Sequence, residues 1–349
     1  MSFMNSYGFL GIGAFGGNIT RLFEDAGFPC IAANSSTEDL RQITNAKNKL
    51  HFKGGSGCHK DRKKAKALLK NNMEILVNEV KAKMPEITTL FISGSAAGGT
   101  GSGMLAACAR ILKNELDINI CLITVLPSKS EQFRASANTV EVFQEIEKLT
   151  DIGAVFILDN GRPLDKIKIN EIFCTHLKAL LSNENGSERG CVDRGEINEL
   201  LRTPGMSVIS KLGKDNTGTA KLLASLKGNN IYAPLEADKV IRYLCLMNSS
   251  NNNISTEELY SELGTPVDEY IGLNSQSTVC MIAGLSLPKT RLLEIKKTAQ
   301  ANSEIIKNNM AAADESLFGD DVDFISSFDI KSAKPAKKVS SLDIMNEFL

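Results

Sequence analysis

One stretch constrains this chain more than any other: Ser93-Gly94-Ser95-Ala96-Ala97-Gly98-Gly99-Thr100-Gly101-Ser102-Gly103. An apolar run at 89–92 precedes it, and a helix-patterned segment at 104–112 follows. Five glycines in eleven positions suit backbone that must turn sharply or approach a ligand closely, and they weaken a helix or strand interior. A flexible linker is not bounded by a buried strand and a helix. The stretch therefore reads as a strand–loop–helix unit whose loop offers backbone N–H groups to an anion, with the helix dipole adding to the attraction. No lysine follows the glycines, which excludes the G-x-x-x-x-G-K-[ST] phosphate loop. Such a loop holds phosphate through amides, hydroxyls and dipole, with a metal ion neutralising charge.

The first half of the chain repeats this alternation. Residues 7–12 form an apolar run ending in glycines, 18–26 read as a helix and 29–33 as a strand. Residues 61–83 carry Ala65, Leu68, Leu69, Met73, Leu76, Val77 and Val80 at helical spacing. Strands follow at 88–93, 118–126 and 154–158, with a helix at 103–116. Short continuous apolar strands between helices predict a parallel sheet covered on both faces. A helix over 168–181, a polar loop over 183–190 and a helix beginning at 196–201 come next. Strands near 241–247 and 278–283 and a long helix over 289–309 predict a second, smaller α/β unit.

The 349 residues suit about two domains. The expected division is a nucleotide domain at 1–168, a central helix and loop at 169–190, a second domain at 191–313 and a tail at 314–349. The tail is acidic at Asp320, Asp321 and Asp323 and basic over 331–338. It buries too little apolar surface to offset ordering entropy. Its last nine residues, with Leu342, Ile344, Met345, Phe348 and Leu349, suit either a short amphipathic helix on a partner or an unstructured end.

A formal charge of -1 argues against a global nucleic-acid or membrane surface. The 8 cysteines lack any C-x-x-C pair, which predicts reduced, buried thiols. Cys58-His59 finds no metal-ligand pattern in a chain with 3 His. No run approaches the ~20 apolar residues of a spanning helix, and no basic leader opens the chain. A soluble, cytoplasmic protein without membrane contact is expected.

Gly11-Ile12-Gly13-Ala14-Phe15-Gly16-Gly17-Asn18 matches G-x-G-x-x-G. A dinucleotide-binding fold would need an acidic residue about 20 positions later; Ala32-Ala33-Asn34-Ser35 stands there instead.

Together these motifs resemble the tubulin/FtsZ superfamily. Gly98-Gly99-Thr100-Gly101-Ser102-Gly103 is similar to the tubulin signature G-G-T-G-[ST]-G. Gly11–Asn18 resembles the first nucleotide loop of FtsZ, Ala32-Ala33-Asn34 the second, and Lys53-Gly54-Gly55-Ser56-Gly57 the third. The motifs fall in family order and spacing over about residues 7–200. The resemblance implies an α/β fold with an N-terminal Rossmann-like GTPase domain, a central helix and a smaller C-terminal α/β domain. It implies GTP and Mg2+ as ligands, with no metal ligand identified.

The nucleotide contacts it implies are Gly13, Ala14, Phe15, Gly16, Gly17, Asn18, Asn34, Gly55, Ser56, Gly57, Ala97, Gly98, Gly99, Thr100, Gly101 and Ser102. Glu131 falls near the ribose, Asn160 borders ribose and base, and Asn170 meets the guanine through its amide. Arg134 falls one residue short of the FtsZ spacing.

Val192-Asp193-Arg194-Gly195-Glu196-Ile197 matches V-D-x-x-[DE]-[VI]. From the residues alone, Asp193 and Glu196 read as acidic groups at a helix N-terminus. The resemblance implies instead that they enter the pocket of the next subunit and position the attacking water.

Asn34-Ser35-Ser36 replaces the Asn-Thr-Asp of FtsZ, Cys191 replaces an Asn, and the second carboxylate is Glu196. With a long helix after Pro288 and a basic tail, these traits look more like TubZ, the plasmid and phage segregation tubulins. That implies a head-to-tail homopolymer and an adaptor of TubR type, bound through the tail and linking the filament to DNA. An FtsZ-like cell-division filament is the alternative.

Overall fold

The structure, a computed structural model, describes residues 3–43, 46–131, 133–182, 191–213, 217–228 and 230–314. The polar loop expected at 183–190 and the tail expected beyond 314, with its adaptor-binding segment, lie outside the described residues.

Six strands build the first half: β1 (Tyr7–Ile12), β2 (Cys30–Asn34), β3 (Lys49–His51), β4 (Thr89–Ser95), β5 (Asn119–Leu126) and β6 (Ala154–Asp159). They pair in parallel. Every residue of β1, β5 and β6 is buried, as a sheet with helices on both faces requires. Those helices are α1 (Gly13–Asp25), α2 (Thr37–Gln42), α3 (Arg62–Lys83), α4 (Thr100–Glu115) and α5 (Phe133–Ile146). After them comes α6 (Lys166–Leu181).

The second half continues the same sheet. It holds α7 (Arg194–Arg202), β7 (Gly205–Lys211), α8 (Thr219–Lys227), β8 (Val240–Ser249), α9 (Thr256–Leu263), β9 (Thr265–Ser275), β10 (Val279–Leu285) and α10 (Lys289–Asp314). β7 joins β6 in parallel, β10 runs antiparallel to β7 and β8, and β9 lies parallel to β8. The full order is β3-β2-β1-β4-β5-β6-β7-β10-β8-β9. Between β1 and β4 the order reverses direction, and a ligand crevice forms at the carboxyl ends of strands at such a point.

Two helices begin earlier than their apolar periodicity suggests. α1 starts at Gly13 and α4 at Thr100, so both absorb glycines that read as loop. Tertiary packing overrides the low helix propensity of glycine here. A Cβ at Gly16 would sit 2.5 Å from the Ser93 carbonyl oxygen, so only glycine lets α1 lie so close to β4. β9 left no strand signal because much of it is exposed and it carries Pro266. Proline is tolerated at a sheet edge, which is where β9 lies.

An aromatic ladder fixes α6 across the sheet. Phe9 stacks on Phe91 at 4.8 Å between ring centroids, Phe91 meets Phe156 at 6.5 Å, and Phe156 meets Phe173 of α6 at 5.4 Å. These rings bury large areas in defined orientations, and they set where the other residues of α6 point.

Seven of the cysteines are buried, as expected, and Cys191 is exposed. Burial pushes the Cys121 and Cys280 thiols up to about 12, which leaves them inert as nucleophiles. Among the described residues no helix is long and apolar enough to cross a membrane.

Candidate functional site

A cavity of about 540 Å³ opens at the carboxyl ends of the parallel strands. Gly13, Ala14, Phe15 and Asn18 of α1 line one side. Asn34 ends β2 beside Ser56 and Gly57, and the signature loop supplies Ala97, Gly98, Gly99, Thr100 and Gly101. Glu131, Asn160 and Asn170 close the far side. Residues spread from 13 to 170 thus share one wall.

The glycines of the signature loop permit tight contacts. A Cβ at Gly101 would lie 2.7 Å from the Ser95 nitrogen and 3.2 Å from the Ile12 carbonyl oxygen, both backbone atoms that cannot rotate away. At Gly99 it would lie 2.8 Å from the Lys60 nitrogen. The three loops therefore pack backbone on backbone.

Four of the expected contacts stand behind the wall. Gly16 and Gly17 face β4 and Ile43, and Gly55 backs onto the Ser35 carbonyl. Ser102 is fully buried, and its hydroxyl donates to the Gly98 carbonyl. Gly16, Gly17, Gly55 and Ser102 shape the loops rather than line the cavity. Arg134 is exposed on α5 and does not line it either.

Asp193 and Glu196 lie elsewhere, at the start of α7. Asp193 Oδ1 accepts from the Glu196 amide at 2.9 Å, and Glu196 Oε2 accepts from the Asp193 amide at 2.8 Å. This capping box satisfies two of the helix's free donors. Neither residue lines the cavity of its own chain.

The cavity also holds groups that the motifs did not single out. Ser35, Ser36, Glu38 and Asp39 line it. Ser36 caps α2 by accepting from the Asp39 amide at 3.1 Å, and the Ser36-Thr37-Glu38-Asp39 spacing of an N-terminal cap was the legible signal. Asn34 Nδ2 donates to Asp39 Oδ2 at 3.1 Å, which aims that carboxylate. An acidic group thus lines the cavity three residues after position 36.

Ser35 Oγ and Thr100 Oγ1 share a hydrogen bond of 2.8 Å, joining the second loop to the signature loop. His59 and Lys60 line the cavity with φ of 49° and 62°. Consecutive non-glycine residues in the left-handed region mark stored strain, which concentrates at functional sites. Lys166, the first residue of α6, pairs with Glu131 at 3.0 Å. The signature loop has no lysine, but the cavity it borders is not free of cations.

The donor chemistry suits Mg2+, which prefers oxygen ligands and is commonly held by one or two carboxylates, phosphates and water. Asp39, Glu38, Thr100 and Ser35 offer such oxygens. Among the described residues no group of three or more His, Cys, Asp or Glu forms a metal cage.

Residues 5–168 match the model of the Tubulin/FtsZ family, GTPase domain. The chain carries a tubulin/FtsZ-family GTPase domain. Over 312 residues it is 26% identical to the tubulin-like protein TubZ of Clostridium botulinum C phage, spanning 88% of this chain and 84% of that protein. The crystal structure of Clostridium botulinum phage c-st TubZ shares its fold with a TM-score of 0.77 at 22% identity, covering 87% of this chain and 99% of that one. The GTPγS-form protofilament of Bacillus thuringiensis serovar israelensis TubZ has a TM-score of 0.68 at 17% identity, over 89% and 94% of the two chains. The fold is that of the TubZ structures.

Proposed function

We propose that this protein hydrolyses GTP within head-to-tail filaments that segregate plasmid or phage DNA. One observation carries the reading. The phosphate-type cavity and the Asp193/Glu196 pair belong to one chain, yet neither carboxylate lines that chain's cavity. A site divided in this way is completed when a second copy presents α7 to the first. The likeness to TubZ, including a solved protofilament, supports the assembly.

In this reading Asn170 and Asn160 hold the base and ribose end, and Asn170 is 7% exposed, so its amide is well desolvated. Backbone N–H groups of Ala97–Gly101 and the start of α4 receive the phosphates. Asp39 and Thr100, which line the cavity, would hold Mg2+, and the ion would supply charge neutralisation there. Phosphoryl transfer then needs mainly an oriented water and electrostatic stabilisation. The capping box engages one oxygen of Asp193 and one of Glu196. The second oxygen of each remains to accept from that water in the neighbouring cavity. DNA engagement runs through an adaptor of TubR type recruited by the tail, in the cytoplasm.

The test is a GTPase and pelleting assay across a dilution series. Specific activity should rise steeply with protein concentration. Glu196→Ala should retain GTP binding and sediment as long-lived filaments while losing hydrolysis. Flat specific activity, or a variant that no longer binds GTP, would refute the divided site.

A further inference from the structure

The cavity wall depends on a residue that does not touch the cavity. Asn138 lies on α5, is 7% exposed, and does not line the site. Its side-chain nitrogen donates to three backbone carbonyls: Lys60 at 3.0 Å, Ala97 at 3.3 Å and Gly98 at 2.8 Å. Two N–H bonds shared among three acceptors make a three-centre arrangement. The three carbonyls belong to two different loops, those carrying His59-Lys60 and Ala97-Gly98.

Both loops need an outside hold. Lys60 sits in the left-handed region at φ 62°, next to His59 at φ 49°, a conformation that persists only when surroundings determine it. The signature loop is glycine-rich and has many backbone states to lose. Carbonyls left without partners are disfavoured, so a single donor that serves three of them, sharing the Gly98 carbonyl with the Ser102 hydroxyl, favours one arrangement.

Arg62 braces the same point from α3. It is 4% exposed, and its Nη1 donates to the Ser102 carbonyl at 2.6 Å and to the Asn138 carbonyl at 3.4 Å. Its remaining nitrogens meet Glu141 at 3.0 Å and Glu145 at 2.5 Å on α5.

Drawing the carbonyls of Lys60, Ala97 and Gly98 toward α5 leaves the opposite face of each loop to the cavity. We propose that Asn138 is a positioning residue for polyphosphate: it turns the carbonyl oxygens of both loops away from the ligand, so that phosphate meets N–H groups instead of carbonyl lone pairs. The assignment rests on the nucleotide reading of the cavity and adds a requirement to it. The loss on removing Asn138 scales with the number of phosphates and spares the nucleoside end, held by Asn160 and Asn170.

The experiment measures binding of GTP, GDP and GMP to the full chain by competition against a fluorescent GTP analogue. It compares the unmodified protein, Asn138→Ala and Asn138→Ser, the last keeping one short donor. Thr139→Ser serves as the control for α5, since Thr139 is buried and donates only within its helix, to the Ala135 carbonyl at 2.7 Å. For Asn138→Ala, GTP affinity should fall by about tenfold or more, the effect of one or two lost hydrogen bonds. GMP affinity should change by less than about twofold, and Asn138→Ser should fall between. Thr139→Ser should leave the GTP-to-GMP ratio unchanged.

If the unmodified protein does not bind GTP, the nucleotide reading itself fails. If it binds GTP and Asn138→Ala keeps the GTP-to-GMP ratio, whether both affinities hold or both drop, the positioning role is overturned. Should Asn138→Ala not fold, as judged by circular dichroism, the ratio for Asn138→Ser decides by the same criterion.

Discussion

Arg291 joins α10 to the ends of β5 and β6, and its removal should be among the most damaging single changes in the described residues. Its Nε donates to Asp159 Oδ2 at 2.9 Å, and its Nη2 donates to Asp159 Oδ1 at 3.3 Å and to the Pro127 carbonyl at 3.0 Å. Arg291 is 8% and Asp159 3% exposed. Burial opposes the guanidinium charge, but the hydrogen bonds and charge of Asp159 outweigh it and raise the Arg291 pKa. Arg291→Met would leave the Asp159 carboxylate buried with the Gly161 amide, 2.7 Å away, as its remaining donor. Breaking a buried pair from one side costs about 3–5 kcal/mol. For a chain of this size about 2 °C accompanies each kcal/mol, so thermal unfolding should fall by about 6–10 °C. The Asp159→Asn/Arg291→Met double variant removes both charges and keeps an acceptor for Gly161, and it should recover by about 2–3 kcal/mol. Differential scanning fluorimetry of all four proteins completes the cycle. A drop below about 2 °C for Arg291→Met, or a double variant no better than the single, would refute the reasoning.

Two further outcomes are expected. Burial, and then the Lys211 charge, lower the pKa of His176 from 6.5 to about 4, against the opposing pull of its hydrogen bond to the Ile209 carbonyl at 3.2 Å. Between those values the unfolded chain binds a proton that the native chain does not. His176 therefore supports stability fully above about 6.5, and that support is lost as pH falls towards about 4, by about 3 kcal/mol at most. Urea melts of His176→Gln should show a flatter pH dependence across this window than the unmodified protein; parallel curves would contradict the assignment. Within the signature loop, Gly98→Ala meets nothing nearer than Ser95 Cβ at 3.9 Å, whereas Gly101→Ala drives into backbone at 2.7 Å. The first should melt within ~0.5 kcal/mol of the unmodified protein. The second should lose about 1–3 kcal/mol and nucleotide affinity with it; equal effects would show that the loop yields freely.

Much of the site was legible before folding was considered, because the demands of a phosphate loop are local. Close backbone approach needs glycine at particular positions in a short run, so Gly98, Gly99 and Gly101 announced themselves, as did Gly13. The parallel sheet was equally legible, since its strands are apolar throughout. β9 was not, because an exposed edge strand needs no apolar pattern. Gly16, Gly17 and Gly55 carry the same local signature as the lining glycines. Nothing in a run of glycines distinguishes approach to a ligand from approach to a neighbouring strand.

What the amino-acid order determined by itself was the set of loops, their sequence along the chain and the chemistry each offers. The tertiary structure alone decided which atoms face one another. It set Arg291 against Asp159, placed Asn138 behind two loops, brought Lys60 and Lys166 to a cavity whose signature loop has no lysine, and put Asp193 and Glu196 outside that cavity. Local turn and helix preferences are set by a residue and its immediate neighbours. Pairings across 132 positions are instead chosen by how the helices pack on the sheet, and no short stretch of sequence records that.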